Sequence, residues 1–513
     1  MIAARRPFVV SISQAVLRTS QQSRGLATAV AAKKSPGNNK KEGDISSVFV
    51  SLSGTKAEQL PPRFAEIKRQ LIRGHEERLT ASWKSLLEQL AVENAFIASR
   101  GPDIIPQIDF TDLASPPRDF LAEVKKRGVA VVKGVVPEQE ARSYKDGVEE
   151  YVRENPWTKA FPQNDPQVFE LYWSPSQVRA RAHKNMVSAQ RFLMNLWHSV
   201  DQETLISNSL PLAYADRVRI RQPGDAGFAL GAHVDGGSVE RWEPEGYGLG
   251  DPYAKIFAGQ WEEYDAWESS SRVPVRSDLY DGAGSCSMFR MFQGWLGMSH
   301  TGPREGTLKV NPNIQLSTAY YLLRPFFAPI QPAKSLTAGE NTAEYLQPEN
   351  WRLQTGDEIT SELHGATPGH GQEMNNILHP HLELQKTMIH IPQIKPGDFV
   401  VWHCDTIHAV DKIHEGKTDS SVMYIPVCPT TEVNAEYLVR QRSAFLGGFP
   451  GPDFPGGKGE SEHSGRPTTS FLEAYGGNES LQAMGLLGLH IDTNEGPGAQ
   501  EAVRRANSIL GFD

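Results

Sequence analysis

Between residues 61 and 99 the apolar side chains Phe64, Ile67, Leu71, Leu79, Trp83, Leu86, Leu87, Leu90 and Ile97 recur at steps of three and four, the spacing of one helix face. Gly101-Pro102 then ends the pattern. The β-branched run GVAVVKGVV at 128–136 predicts a short strand, and Pro137-Glu138 after it opens a helix. A second helical stretch covers 177–197, and Val218-Arg219-Ile220 begins a strand pattern. From there to Val427 the chain offers short β-like runs punctuated by Gly and Pro, with no βαβ rhythm and no GxGxxG loop. That pattern predicts an antiparallel barrel or jelly roll rather than a nucleotide-binding sheet. Beyond Cys428 the Gly- and Pro-rich tail, with GGFPGPDFPGG at 447–457, is expected to wrap a core and end in a short helix.

The expected fold class is therefore mainly β with flanking helices. Residues 44–127 form a helical brace, 128–430 the β domain, and 431–513 the wrapping segment. Insertions near 240–285 and 325–390 are long for a compact domain, and such loops are often lids or binding loops. Trp242, Trp261 and Trp267 in the first insertion are expected to pack a core before they contact a ligand.

Composition narrows the class. With 39% hydrophobic and 22% charged residues, 513 residues can bury a large core under a charged surface. The net charge of -9, with no Lys/Arg block in the body of the chain, excludes a nucleic-acid partner. No apolar run of about 18 residues is present, so no membrane span is expected. Three cysteines without CxxC spacing, Cys286, Cys404 and Cys428, predict neither a disulfide framework nor a thiolate zinc site. The first 41 residues carry no Asp or Glu but do carry Arg5, Arg6, Arg18 and Arg24, the composition of a mitochondrial presequence. Residues 1–43 are read as presequence and solvated linker, with Arg24-Gly25-Leu26-Ala27 resembling a matrix-processing site. The expected compartment is the mitochondrial matrix; a basic tail on a cytoplasmic protein is the alternative.

Metal chemistry is the strongest local signal. A mononuclear Fe(II) that must bind O2 and an organic molecule together needs two His and one carboxylate on one face. His-x-Asp on a strand supplies two of these ligands, since residues i and i+2 project to the same side. The sequence contains three such tripeptides. His490-Ile491-Asp492 holds the last histidine, and His403-Cys404-Asp405 leaves too little β-rich chain behind it to close a barrel. His233-Val234-Asp235 alone follows a strand pattern with enough chain after it. A third ligand should come from a later strand, and the turn Pro396-Gly397-Asp398 followed by Phe399-Val400-Val401-Trp402 is such a strand, bringing His403 or His408. His379-Pro380-His381 could be read as a zinc site, but no thiolates accompany it and Pro breaks the strand.

Several longer stretches carry a family resemblance: LPPRF at 60–64, HVDGGSVERW at 233–242, FRMFQGW at 289–295, EGTL at 305–308, PGDFVVWHCDTIHAV at 396–410 and FPGPDFP at 449–455. They resemble the YbiU-like (DUF1479) family, whose architecture is similar to phytanoyl-CoA dioxygenase and related Fe(II)- and 2-oxoglutarate-dependent oxygenases. The resemblance implies a double-stranded β-helix (jelly-roll, cupin-like) core. It also implies His408 as the third ligand beside His233 and Asp235, and Trp295 near the oxoacid. Fe(II), 2-oxoglutarate and O2 would act on a small-molecule substrate. The arginine that pairs with the far carboxylate of the oxoacid should follow the distal His, yet Ser420-Ser421 stand there. Arg290 is the expected substitute, Arg219 a lesser one, and Lys417 a weaker point charge. A catalytically silent binding protein, or an isomerase or hydrolase using the triad as a Lewis-acid site, are the competing classes.

Overall fold

The structure, a computed structural model, describes Lys40 and residues 45–53, 59–227, 229–283, 285–333 and 342–512. The described residues fall in one unit. The expected presequence lies outside them, as does the linker after it except for Lys40, which is buried, its ammonium held by Asp278 and, at 3.4 Å, by Asp453.

The early helical stripe folds as two helices, Arg63–Ile72 and Glu76–Arg100, broken at Gly74, whose φ is +81°. Their buried faces carry Phe64, Ile67, Leu79, Trp83, Leu86, Leu87, Leu90 and Ile97. Helix Arg118–Arg127 ends on left-handed Gly128, whose N–H bonds back to Val124, a glycine C-cap. A side chain there would meet Thr406 Oγ1 at 2.7 Å, so only glycine lets the cap pack against the later chain.

The described residues contain fifteen strands, numbered in chain order. β1 (Gln107–Asp109), β2 (Val129–Lys133), β3 (Ala160–Phe161), β4 (Val168–Phe169) and β5 (Val218–Arg221) precede β6 (His233–Val234) and β7 (Phe292–Gly297). β8 (Leu308–Val310), β9 (Phe327–Pro329), β10 (Trp351–Leu353) and β11 (Gln372–Glu373) lead to β12 (Ile389–His390). β13 (Phe399–His403), β14 (His408–Val410) and β15 (Ser420–Tyr424) complete the set. One sheet has the order β1-β2-β13-β7-β15-β5-β4-β3, antiparallel except for β1 and β2; a second, antiparallel, has β11-β6-β14-β8-β12. Strands β5 to β8 and β12 to β15 thus alternate between the sheets as the chain advances.

Alternation of side chains divides the core. Val129, Val131, Trp295, Val400 and Trp402 of the first sheet pack with Leu308, Val310 and Ile389 of the second. The intervening residues Ala130, Val132, Leu296, Phe399 and Val401 turn to the helical layer, with Tyr144, Val148 and Met186. Helix is more abundant than a mainly-β chain implies. The helix Glu76–Arg100 has 25 residues while β7 has six, and the C-terminal region contains three helices, Glu432–Gly447, Thr469–Ala483 and Pro497–Leu510. The fold is mixed, with two large sheets inside helices. Trp242, Trp261 and Trp267 are all buried, each indole donating to a backbone carbonyl, so they pack the interior. No helix among the described residues is long and apolar enough to cross a membrane.

Candidate metal centre

His233 opens β6 and His408 opens β14, and the two are register partners across an antiparallel pair. Direct partners put their side chains on the same face of the sheet, and the ring centroids lie 4.1 Å apart. Asp235, two residues past His233, stands at 3.6 Å from its Nε2 and 3.8 Å from that of His408. Ligand atoms of all three lie within 4.8 Å of one another.

Hydrogen bonds fix which nitrogen each ring offers. Nδ1–H of His233 donates to the Gly231 carbonyl at 2.6 Å, and Nδ1–H of His408 to the Thr406 carbonyl at 3.0 Å. A carbonyl only accepts, so each proton sits on Nδ1 and each Nε2 keeps its lone pair. Burial, reinforced by the neighbouring His233, pushes His408 down to about 3, so this ring is neutral at ordinary pH. For Asp235 burial acts to raise the pKa, but His233, His408, Arg290 and a Gln293 hydrogen bond outweigh it and hold the carboxyl below the usual range. The Gln293 amide donates to Oδ2 at 2.5 Å. Two imidazole lone pairs and an ionised carboxylate on one face fit a divalent first-row metal ion.

The second cluster of metal-type ligands, His403, Cys404 and Asp405, is already committed. Nε2–H of His403 donates to the Ala266 carbonyl and its Nδ1 accepts from the Asp405 N–H, while the ring stacks on Trp197 at 4.6 Å. Asp405 pairs with Arg272 at 2.6 Å and accepts from Tyr253 and Tyr264. His403, the other candidate from this strand, is thus a core histidine. Among the described residues His379 and His381 belong to no third cluster; both are buried, and burial pushes each down to about 3.

A cavity of about 140 Å³ borders the triad, several times the roughly 30 Å³ that one water occupies in the liquid. The part of its lining that strands contribute, its inner lobe, includes Arg219, Trp295, Trp402, Val422 and Tyr424. The part that loops contribute, its outer lobe, includes Phe49, Tyr214, Cys286, Arg290 and Phe454. Trp295, Arg219 and Arg290 therefore share a cavity with the triad. Lys417 does not: it is exposed in the turn before β15 and lines no wall. Ser420 and Ser421 stand where an arginine was expected, but the register sets Arg219 of β5 opposite Val422 of β15, so a guanidinium arrives from the adjacent strand. Burial outweighs the attraction of Tyr424 and, with Arg221 nearby, lowers the pKa of Arg219.

Two contributors escaped the sequence. Gln293 lies two residues before Trp295 on β7, hence on the same face, and that spacing could have found it. Phe49 is set edge-on to His233 at 4.6 Å, and no local pattern marks it.

Comparison with known proteins agrees with the motifs. The Escherichia coli K12 protein YbiU is 30% identical over 394 residues, 74% of this chain and 86% of that protein. The crystal structure of GlcNAc Inducible Gene 2 (DUF1479) from Candida albicans superposes with a TM-score of 0.78 at 32% identity, covering 89% of this chain and 96% of that one. A Salmonella typhimurium LT2 protein described as a candidate oxidoreductase gives a TM-score of 0.69 at 30% identity, covering 83% and 99%. The sequence pattern of the Gig2-like family matches residues 58–486, and the chain belongs to that family.

Proposed function

We propose that this chain is an Fe(II)- and 2-oxoglutarate-dependent oxygenase that oxidises a small organic molecule. The observation that carries the reading is the triad, in which both imidazoles are held in the tautomer that frees Nε2 and both face an ionised Asp235. The strand order supports it: β13-β7-β15-β5 against β6-β14-β8-β12 is the winding of a double-stranded β-helix. His233, Asp235 and His408 would hold the metal, which when bound supplies the redox chemistry by which O2 oxidises substrate and oxoacid together.

The remaining work belongs to the protein. Gln293 orients the Asp235 carboxylate by binding Oδ2. Trp295 and Trp402 make the inner lobe apolar, which strengthens a charge pair formed inside it. Arg219, buried there, suits the far carboxylate of 2-oxoglutarate better than Arg290, which already faces Asp235 at 3.9 Å. Lys417, exposed and off the cavity, has no part in this reading.

Anaerobic titration of the full-length protein with Fe(II) and 2-oxoglutarate tests the reading through the visible metal-to-ligand charge-transfer band. The band should appear in the parent and vanish in His233→Ala. Iron bound without oxoacid would favour a Lewis-acid isomerase or hydrolase, and no iron bound at all would leave a binding protein.

A further inference from the structure

Arg290, in the outer lobe, is a cation whose hydrogen-bond donors are left unused among the described residues. Arg290 is about nine-tenths buried, its side chain 11% exposed, yet none of its N–H groups has a hydrogen-bond acceptor among the described residues. The only carboxylate there within 4 Å is Asp235, at 3.9 Å, and that group already accepts from Gln293 and faces both imidazoles. Asp216, the other acid nearby, is taken by Arg217, whose Nε lies 3.0 Å from Oδ1. The guanidinium rests instead over the Tyr214 ring, 5.3 Å from its centroid. Its donors open onto the cavity, where a planar bidentate acceptor would give them the charge-assisted pair that the protein itself does not supply.

We propose that Arg290 is the recognition residue for the primary substrate, and that this substrate is a compact monocarboxylic acid with an apolar body. The inference rests on the oxygenase reading for the identity of the neighbouring ligand, but the acid is read by Arg290 itself. Val48, Phe49 and Phe454 supply apolar walls to the same lobe, which suits the rest of such a molecule. A monoanion fits better than a phosphate, because the Asp235 carboxylate would repel a dianion more strongly, and the neighbouring guanidiniums of Arg217 and Arg221 are already paired with Asp216 and Asp225. Arg219 and Arg290 then divide the labour, one guanidinium per lobe and one acid for each.

The test uses the full-length, Fe(II)-loaded protein under argon, saturated with 2-oxoglutarate. Calorimetry measures the affinity of linear and branched four- to six-carbon monocarboxylates, each against its own primary amide and the corresponding alkyl phosphate. In the parent at least one acid should bind about tenfold or more tighter than its amide, the worth of one charged hydrogen-bonded pair. In Arg290→Gln the acid-to-amide ratio should fall to near one while 2-oxoglutarate affinity stays within about twofold. Arg290→Lys, which keeps the charge without the planar fork, should retain an intermediate preference and shows that a loss in the glutamine variant is not misfolding. Arg219→Gln should do the reverse, weakening 2-oxoglutarate and sparing the monocarboxylate. No acid preferred over its amide in the parent, a preference for the phosphate, or a preference that survives Arg290→Gln overturns the proposal. So does loss of 2-oxoglutarate binding in Arg290→Gln alone, which would return Arg290 to the co-substrate. Failure of the oxygenase reading has a different signature, absence of 2-oxoglutarate binding in the parent, and the acid-to-amide ratio is then measured on the same protein without it.

Discussion

Glu460 shows how far burial alone can move one group. It is fully buried, its carboxylate accepts the backbone N–H groups of Tyr172 and Trp173, and burial pushes it from 4.5 up to about 7 despite Arg181 and Arg466 nearby. Between those values the folded state binds more protons than the unfolded one, so this group's contribution is full below about pH 4.5 and is lost as pH rises through 7. The loss is on the order of 3 kcal/mol. Glu460→Gln, neutral throughout and still able to accept through its amide oxygen, should be closer in stability to the parent at pH 5 than at pH 8, where it should be the more stable. Denaturant unfolding at both pH values measures the difference, and an unchanged gap would mean that the carboxyl titrates normally. The same reasoning, which atom is already partnered, separates His408 from His403. Both are buried histidines of one motif in the sequence, and only the direction of their hydrogen bonds tells a ligand from a core residue.

At the scale of elements, the turn Pro396-Gly397-Asp398 aims β13 and, after it, β14 with His408. Gly397 has φ +95°, and a Cβ there would stand 1.9 Å from the Val136 carbonyl oxygen, which cannot move without disturbing the chain after β2. Gly397→Ala should cost about 2 kcal/mol or more, combining left-handed strain with the clash. Gly74→Ala, at φ +81° with no atom within 4 Å of its Cβ, should cost only about 1 kcal/mol. Equal costs, measured by denaturant unfolding, would show that the Gly397 contact relaxes. This turn and strand were legible in the sequence because Pro-Gly-Asp before four apolar residues has one local reading. The His-x-Asp motif was legible for the same reason, whereas the length of β6, two residues, was not, since its pairing with β14 is a long-range fact. Arg219 illustrates the limit. Its rank depended on which residue of β15 faces it, and register across strands separated by 200 residues leaves no trace in either strand alone. The C-terminal helices were underestimated because the Gly/Pro run between them dominates the local pattern.

For the molecule as a whole, the notable long-range contact is the one that brings residues before the helix Arg63–Ile72 onto the site. Lys40 is anchored between Asp278 and Asp453 and also donates to the Ser285 carbonyl at 2.6 Å. Val48 accepts from the Gly371 N–H at 2.8 Å, and Phe49 covers His233. A Cβ on Gly371 would lie 2.4 Å from the Phe49 ring, so the glycine makes room for the aromatic. Such a segment roofs the cavity without belonging to the sheets that build it. Its loss can cost no more than the free energy of detaching it, because an element outside the sheets can open before the whole unfolds. The double variant Lys40→Ala/Phe49→Ala should therefore change the unfolding midpoint little, whereas Phe292→Ala, a truncation inside β7, should cost about 3–5 kcal/mol. The detached roof should appear in another observable. Cys286, 4% exposed on the cavity wall, should react slowly with a thiol reagent in the parent and at least about tenfold faster in the double variant. Peptide mapping distinguishes it from Cys428, which lines no part of the cavity and should stay protected in both. A double variant destabilised as severely as Phe292→Ala, with Cys286 still slow, would mean that Lys40 and Phe49 are integral to the core.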